Sequence, residues 1–271
     1  MKQYKYNELA YAEQIYKNGF QTNSLMVELR LLALYYKDIL GLKPKQRKIE
    51  LYKFCKKYIP DFNEAKYYSL LNSVLRTVTK KNQKLITIEK VNVYQDELNY
   101  ILGLDLPYNF KKVMFAFLIQ IKLNRIANKI RYGKENNNIS FRGGNAKYNN
   151  IKNMANIPIT IKINDDIIYF LAKEKLVTIM YNGLIKLDYI NNCKEVGNIV
   201  IEIKNYEDVG WYLDWYTNQQ KMILCEECNR PFRKRTNKQI YCSDECFNNH
   251  RREYKAKKER ERRKKLRSVD K

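Results

Sequence analysis

Histidine is almost missing from this sequence: His250 is the only one in 271 residues. Nucleophile–histidine triads and histidine acid–base pairs therefore have little material, which counts against the commonest forms of hydrolytic catalysis. Long apolar runs are missing as well. No segment approaches the ~18 unbroken apolar residues of a membrane helix, and the opening MKQYKYNELAYAEQIY lacks the apolar stretch of a secretory signal. These absences predict no membrane association and a reducing, cytoplasmic location, where closely spaced cysteines read as metal ligands rather than disulfides. Acidic residues are also scarce, 29 against 52 Lys plus Arg, for a net charge of +23. That excess points to nucleic acid or another anionic surface. AT-rich coding alone favours the same Lys, Asn, Ile and Tyr, so the location of the charge has to carry the argument.

With 45% hydrophobic residues, most of the chain is expected to fold, as one or two domains. Helical spacing predicts helices over 5–18, 24–40 (N-capped by Asn23 or Ser24), 46–58 and, capped by Asp61 or Asn63, through Tyr67, Leu70, Leu71, Val74 and Val78. Gly41, Pro44 and Ile59-Pro60 separate them. In LITIEKVNVY the period switches to alternation, which predicts a small hairpin over 85–93. A short helix at 97–102 follows, then a boundary at Gly103 and Pro107. From Asn109 to Arg131 the most apolar helix carries Phe110, Val113, Met114, Phe117, Leu118 and Ile121 on more than one face, as expected of a domain's central helix.

After it the pattern predicts a short strand at 139–141, a helix at 147–155, and another capped by Asn164 or Asp165 through Leu171. LVTIMYNGLIKLDYI then alternates on both sides of Asn182-Gly183, a strong hairpin signal. This order over 109–190 resembles a winged helix, a fold common in DNA-binding regulators and replication initiators. In that fold the helix before the wing often leads into the major groove with its N-terminal residues. Here they are Asn164-Asp165-Asp166, and carboxylates facing phosphates repel, so capping explains them better. Residues 24–93 follow a similar order, which suggests a degenerate winged helix. A strand at 199–203 and a helix through Trp211, Leu213 and Trp215 complete the body.

Asp188, Glu202 and Lys204 offer an enzymatic alternative. Their spacing resembles the Asp…Glu-x-Lys core of Mg²⁺-dependent nucleases, although Glu-x-Lys is also ordinary on a half-solvated strand. Arg142-Gly143-Gly144 lacks the context of a phosphate loop. Cys55 and Cys193 read as small buried hydrophobes.

The remaining four cysteines differ in kind. Cys225 and Cys228 form C-x2-C, and Cys242 and Cys246 form C-x3-C thirteen residues on, a spacing that suits one tetrahedral Zn²⁺. A site of four thiolates is closed and structural. The expected layout is a knuckle at Cys225 and Cys228, hairpin arms at Pro231-Phe232 and Ile240-Tyr241, and the second pair opening the last helix. This looks like a treble clef, and Tyr241-Cys242-Ser243 with Cys246 (YCS-x-x-C) resembles MYND-type fingers. A MYND finger's second cluster has no counterpart here, so its peptide recognition does not transfer. The whole chain resembles proteins of Gram-positive bacteria and their phages in which a helical or winged-helix body ends in such a finger. That resemblance implies no established activity, and for a phage chain the cytoplasm is the host's. His250, four residues past Cys246, is an alternative ligand should one cysteine not bind, and otherwise a phosphate contact.

Residues 251–271 hold twelve Lys or Arg against four acids, a net +8 in 21 residues. Glu253 with Lys257, Glu259 with Arg263 and Glu261 with Lys265 are spaced to support a solvated helix, about 37 Å long if continuous from Ser243. The fold expected is therefore mainly α with small β-hairpins (α+β): a helical domain at 1–105, a winged-helix-like domain at 106–220, a finger at 221–250 and a basic helical tail at 251–271. Arg233, Lys234, Arg235 and Lys238 from the finger, with Arg251, Arg252, Lys255, Lys258, Arg262 and Arg263 from the helix, are the expected phosphate contacts. The expected function is nucleic-acid binding, DNA favoured over RNA, in regulation or replication of a bacterial, phage or mobile element. The alternative is a module that docks a protein partner such as a polymerase or a host defence factor.

Overall fold

The computed structural model describes residues 6–80, 83–133, 135, 137–158, 160–219 and 222–269, without the side chains of Asn145, Asn164 and 263–269. The protein is mixed helix and sheet, with ten α-helices and three small sheets among the described residues. It forms two compact units that interleave in sequence, residues 1–91 with 119–140, and 92–118 with 141–271. Their outlines thus differ from the consecutive segments 1–105 and 106–220, because the 25-residue helix α6 (Tyr108–Tyr132) gives its first half to one unit and its second half to the other. Among the described residues no helix is long and apolar enough to cross a membrane.

The first unit is built around α2 (Leu25–Asp38), whose Leu29, Leu31, Leu32, Ala33 and Leu34 are all buried. Around it lie α1 (Glu8–Asn18), α3 (Pro44–Tyr58) and α4 (Glu64–Thr79), which add Ile15, Leu51, Phe54, Cys55, Leu71, Val74 and Val78 to one core. Asn63 caps α4 by accepting the Ala65 and Lys66 amides, and Pro44 opens α3 at a position where a missing N–H costs nothing. Buried Glu28 is satisfied by the Tyr11 hydroxyl (2.6 Å) and the Gln21 amide (2.8 Å).

The hairpin expected over 85–93 does not form. Ile86 and Ile88 face the N-terminal segment instead: the Glu8 amide donates to the Ile86 carbonyl (2.7 Å) and the Ile88 amide to the Tyr6 carbonyl (2.8 Å). β1 (Val91–Tyr94) pairs with β5 (Ile199–Ile203). Alternation is common to any strand with one buried face, so it did not distinguish a mutual pairing from two distant ones.

In the second unit α5 (Gln95–Gly103) leads to the apolar half of α6, where Val113 to Leu118 are all buried. β2 (Ser140–Arg142), α7 (Asn145–Ala155), a π-helical turn (Ile163–Ile168) running into α8 (Tyr169–Lys173), β3 (Thr178–Ile179) and β4 (Leu184–Lys186) follow. The three strands form a sheet in the order β2-β4-β3, with β3 and β4 antiparallel. Asn182 (φ 59°) and Gly183 (φ 68°) both take the left-handed conformation that a tight hairpin turn demands. At the start of the π turn, the Asp166 carboxylate accepts the Lys162 amide at 2.7 Å, so this acid serves the backbone. Inside the unit, Lys112 and Asp214 make a buried ion pair (2.8 Å), completed by the Asn156 carbonyl on Lys112 and the Tyr108 hydroxyl on Asp214. Asp214 belongs to α9 (Val209–Tyr216), the helix that precedes the cysteines.

Candidate metal centre and the basic surface beside it

The cysteine region is built on a two-stranded antiparallel sheet of β6 (Met222–Leu224) and β7 (Pro231–Arg233), in the register Ile223 opposite Phe232. Pro231-Phe232 therefore pairs with 222–224 rather than with Ile240-Tyr241 as expected. Met222 and Phe232 are both buried, whereas Ile240 is exposed, so the apolar pairing wins. Cys225 and Cys228 occupy the turn between the strands. It is closed by the Asn229 amide on the Cys225 carbonyl (2.9 Å) and the Cys225 amide on the Arg230 carbonyl (2.9 Å), with Asn229 in the left-handed conformation (φ 56°). Ile240 remains in the region through its carbonyl, which accepts the Glu226 amide at 3.2 Å.

Cys242 precedes α10 (Asp244–Val269) and Cys246 lies in its first turn, where the Ser243 hydroxyl accepts the Cys246 amide (3.2 Å). The four sulfurs thereby come within 4.8 Å of one another and can hold a metal ion. The Sγ atoms of Cys228 and Cys242, and those of Cys242 and Cys246, are 3.5 Å apart. Among the described residues they are the one such group of three or more His, Cys, Asp or Glu.

Their electrostatics are consistent with a site that can accept a cation. Burial works to raise the Cys225 thiol, but backbone amides of Cys228, Cys242 and Glu227 outweigh it and bring it down to about 7. Burial pushes Cys228 well up and Cys242 to about 11, their sulfur neighbours adding to the rise for Cys228. Without a cation one thiol of the cluster ionises readily and repels charge on the others. A metal ion reverses that repulsion.

The cysteine region rests on α9. The Arg230 guanidinium pairs with Asp208 and lies over the Trp211 ring (5.5 Å), and the Tyr212 hydroxyl reaches the Asn229 carbonyl at 3.5 Å. These anchors were not legible beforehand, since nothing local marks Asp208 or Arg230 as partners.

His250 is outside the sulfur cluster. Its ring lies 5.3 Å from that of Tyr241, and its Nδ1 is 3.7 Å from the Glu227 carboxylate. Of the expected phosphate contacts, Arg233, Arg235, Lys238, Arg251, Arg252, Lys255, Lys258 and Arg262 are exposed and Lys234 is half-buried, while the Arg263 side chain lies outside the described residues. Among those described, Arg262 is the one in an ion pair, with Glu259 (3.1 Å), three residues before it on the helix. The Lys265 side chain is likewise outside the described residues.

Asp188 is engaged within its hairpin. Thr178 donates to it at 2.6 Å and Lys186 pairs with it at 2.7 Å, so that, although burial opposes it, these bonds hold its carboxyl below the usual range. Glu202 lies on β5 and Lys204 just beyond it. Cys55 and Cys193 are buried. No family model matches the chain, and neither a curated protein nor a solved structure matches it significantly.

Proposed function

We propose that this chain is a nucleic-acid-binding protein, with DNA favoured over RNA, in which one structural Zn²⁺ held by Cys225, Cys228, Cys242 and Cys246 fixes a basic hairpin and helix against phosphates. The observation that carries this reading is the unspent charge beside the cysteines. Eight of the ten expected contacts are exposed, and of the nine whose side chains are described only Arg262 is in an ion pair. Cations left unpaired in this way are available to release counterions from a polyanion.

The metal reading is supported by four soft sulfur donors and no open position, the donor set of closed zinc sites. Strand, knuckle, strand and then a helix carrying the last ligand support the treble-clef comparison, and the left-handed Asn229 after the knuckle agrees with it. The winged-helix comparison draws support from the sequence α6, β2, α7, π turn with α8, β3 and β4, and from the strand order β2-β4-β3. Asp166 is occupied in capping, which favours the finger and α10 over that body helix as the main contact. A regulatory or replication-associated role in a bacterial, phage or mobile element fits this reading.

A second reading, docking of a protein partner, is favoured by the apolar hairpin tip, where Ile179 (55%), Met180 (43%) and Tyr181 (95%) are exposed. The deciding experiment is a salt-titrated binding assay on duplex DNA, single-stranded DNA and RNA, with the full chain and with a chain lacking 225–271. Steep salt dependence lost on truncation supports the proposal. Undiminished affinity of the truncated chain sinks it, and a pull-down that survives high salt favours the second reading.

A further inference from the structure

The described side chains of helix α10, those of 244–262, are exposed on nearly every side, and they include two large rings in solvent, Phe247 (49% exposed) and Tyr254 (51%). On a helix with no core to join, exposed rings cost solubility and need another reason. Their placement gives one. At 3.6 residues per turn, Phe247 and Tyr254 lie within about 20° of each other around the helix axis and about 10 Å apart along it. On the same wheel Arg251, Lys255, Lys258 and Arg262 fall in a band about 60° wide along one side of this line, whereas the other side holds Glu261 and His250 before Lys257. The two bands touch at Lys258, whose ammonium lies 4.9 Å from the centroid of the Tyr254 ring.

From this side-by-side arrangement of a ring line and a cation band on α10 we infer that the helix takes single-stranded nucleic acid in preference to duplex. The inference rests on the nucleic-acid reading above. A single strand presents phosphates along one edge and free base faces along the other, matching cations and rings on adjacent strips of one surface. A duplex presents phosphates on its outside and keeps its base faces stacked within, so it would meet the cations and leave Phe247 and Tyr254 idle. Because every base has a π-face, the contact is tolerant of sequence.

Tyr254 is the position to test, because it lies well beyond the cysteines, whereas Phe247 packs on Tyr241 at 5.8 Å, next to Cys246. The full-length, metal-loaded protein is titrated with a single-stranded DNA oligonucleotide, its RNA counterpart and the matching DNA duplex at one fixed salt concentration. Tighter binding of both single strands than of the duplex is expected. Tyr254→Ala should weaken the single strands about tenfold and the duplex little, Tyr254→Phe should restore the loss, and Arg251→Ala with Lys258→Ala should weaken all three. Two results overturn the inference while leaving the nucleic-acid reading in place: duplex binding as tight as single-strand binding, or a Tyr254→Ala protein that keeps full single-strand affinity while the cation variant loses it. If no strand of any kind binds, the broader reading fails and this inference with it.

Discussion

The guanidinium of Arg230 is held from two sides, by the carboxylate of Asp208 and by the ring of Trp211, whose centroid is 5.5 Å from its Cζ. Arg230 follows the cysteine knuckle and Asp208 immediately precedes α9, so this side chain helps tie the cysteine region to the body of its unit. Asp208 is itself buried and also accepts from Asn205 (3.1 Å) and Asn156 (3.3 Å). Asp208→Ala should therefore destabilise the unit by about 1–3 kcal/mol, the cost of stranding hydrogen-bond donors that had a charged partner. Thermal melts measure the loss. The stoichiometry of the proposed metal should stay unchanged, because none of the four sulfurs takes part in the pair.

Removing the proposed metal should loosen the cysteine region itself. Strong chelation of the proposed metal, or Cys246→Ala, would take away the cation that makes four neighbouring sulfurs tolerable, and metal-site binding energy is folding energy for so small a sheet. Amide exchange should accelerate across 222–250, while the helices of 8–132 keep their protection. Trp211 fluorescence should report the loosening as Arg230 leaves its ring. Unchanged exchange in apo protein would mean that β6, β7 and the first turn of α10 stand without a metal.

Much of this architecture was legible because its signals are local. Asn63 as a cap, Asn182-Gly183 as a turn and the paired cysteines each announce themselves within a few residues, and each is found in that role or placed together with its partners. What failed was long-range choice. Ile86 pairs with the segment of Tyr6 and Glu8, some 80 residues away, and Pro231-Phe232 pairs with 222–224 rather than with Ile240-Tyr241. Alternation reports that a strand has a buried face but does not name the neighbour. The division of α6 between two units is invisible for the same reason, since its apolar positions read alike whichever elements cover them.

The buried pair of Lys112 and Asp214 gives a sharper test of the body. Their side chains are 5% and 2% exposed, and each has a second partner, the Asn156 carbonyl and the Tyr108 hydroxyl. Truncating one partner leaves the other charge in low dielectric, so Lys112→Ala should cost about 3–5 kcal/mol, measured by urea unfolding. Replacing both, as Lys112→Met with Asp214→Leu, should recover most of that loss, because the pair's own attraction only roughly offsets its desolvation. A double variant as unstable as the single one would show that the hydrogen bonds to Asn156 and Tyr108 matter more than the charges.

Gly210 marks a close approach of α9 to the end of α7. A Cβ at this position would run into the Ala155 carbonyl, with the Lys112 side chain next nearest. Backbone cannot swing aside as a side chain can, so Gly210→Ala must push the two helices apart. A destabilisation of about 1–3 kcal/mol is expected from overpacking, against the small gain that Gly→Ala normally brings in a helix. Denaturation midpoints decide the sign, and a stabilised variant would place α9 farther from α7 than described.

Alkaline pH should weaken the first unit, and the sign follows from burial. Cys55 is fully buried in the α1–α4 core, and removal from water pushes its thiol from the ordinary 9.0 up to about 12. Below the unfolded-state value of about 8.5 both states keep the proton and stability is flat. Between there and about 12 the unfolded chain releases a proton that the native state retains, so stability falls by up to about 1.4 kcal/mol per pH unit. Tyr36, also raised chiefly by burial, should steepen the fall once unfolded tyrosines ionise near pH 10. Urea midpoints under reducing conditions at pH 7.5, 9 and 10 measure the slope. Cys55→Ala should start from lower stability at pH 7.5, since it leaves a small cavity, and then lose less than the parent between pH 9 and 10. Parallel slopes for parent and variant would mean that the Cys55 thiol reaches water in the native state.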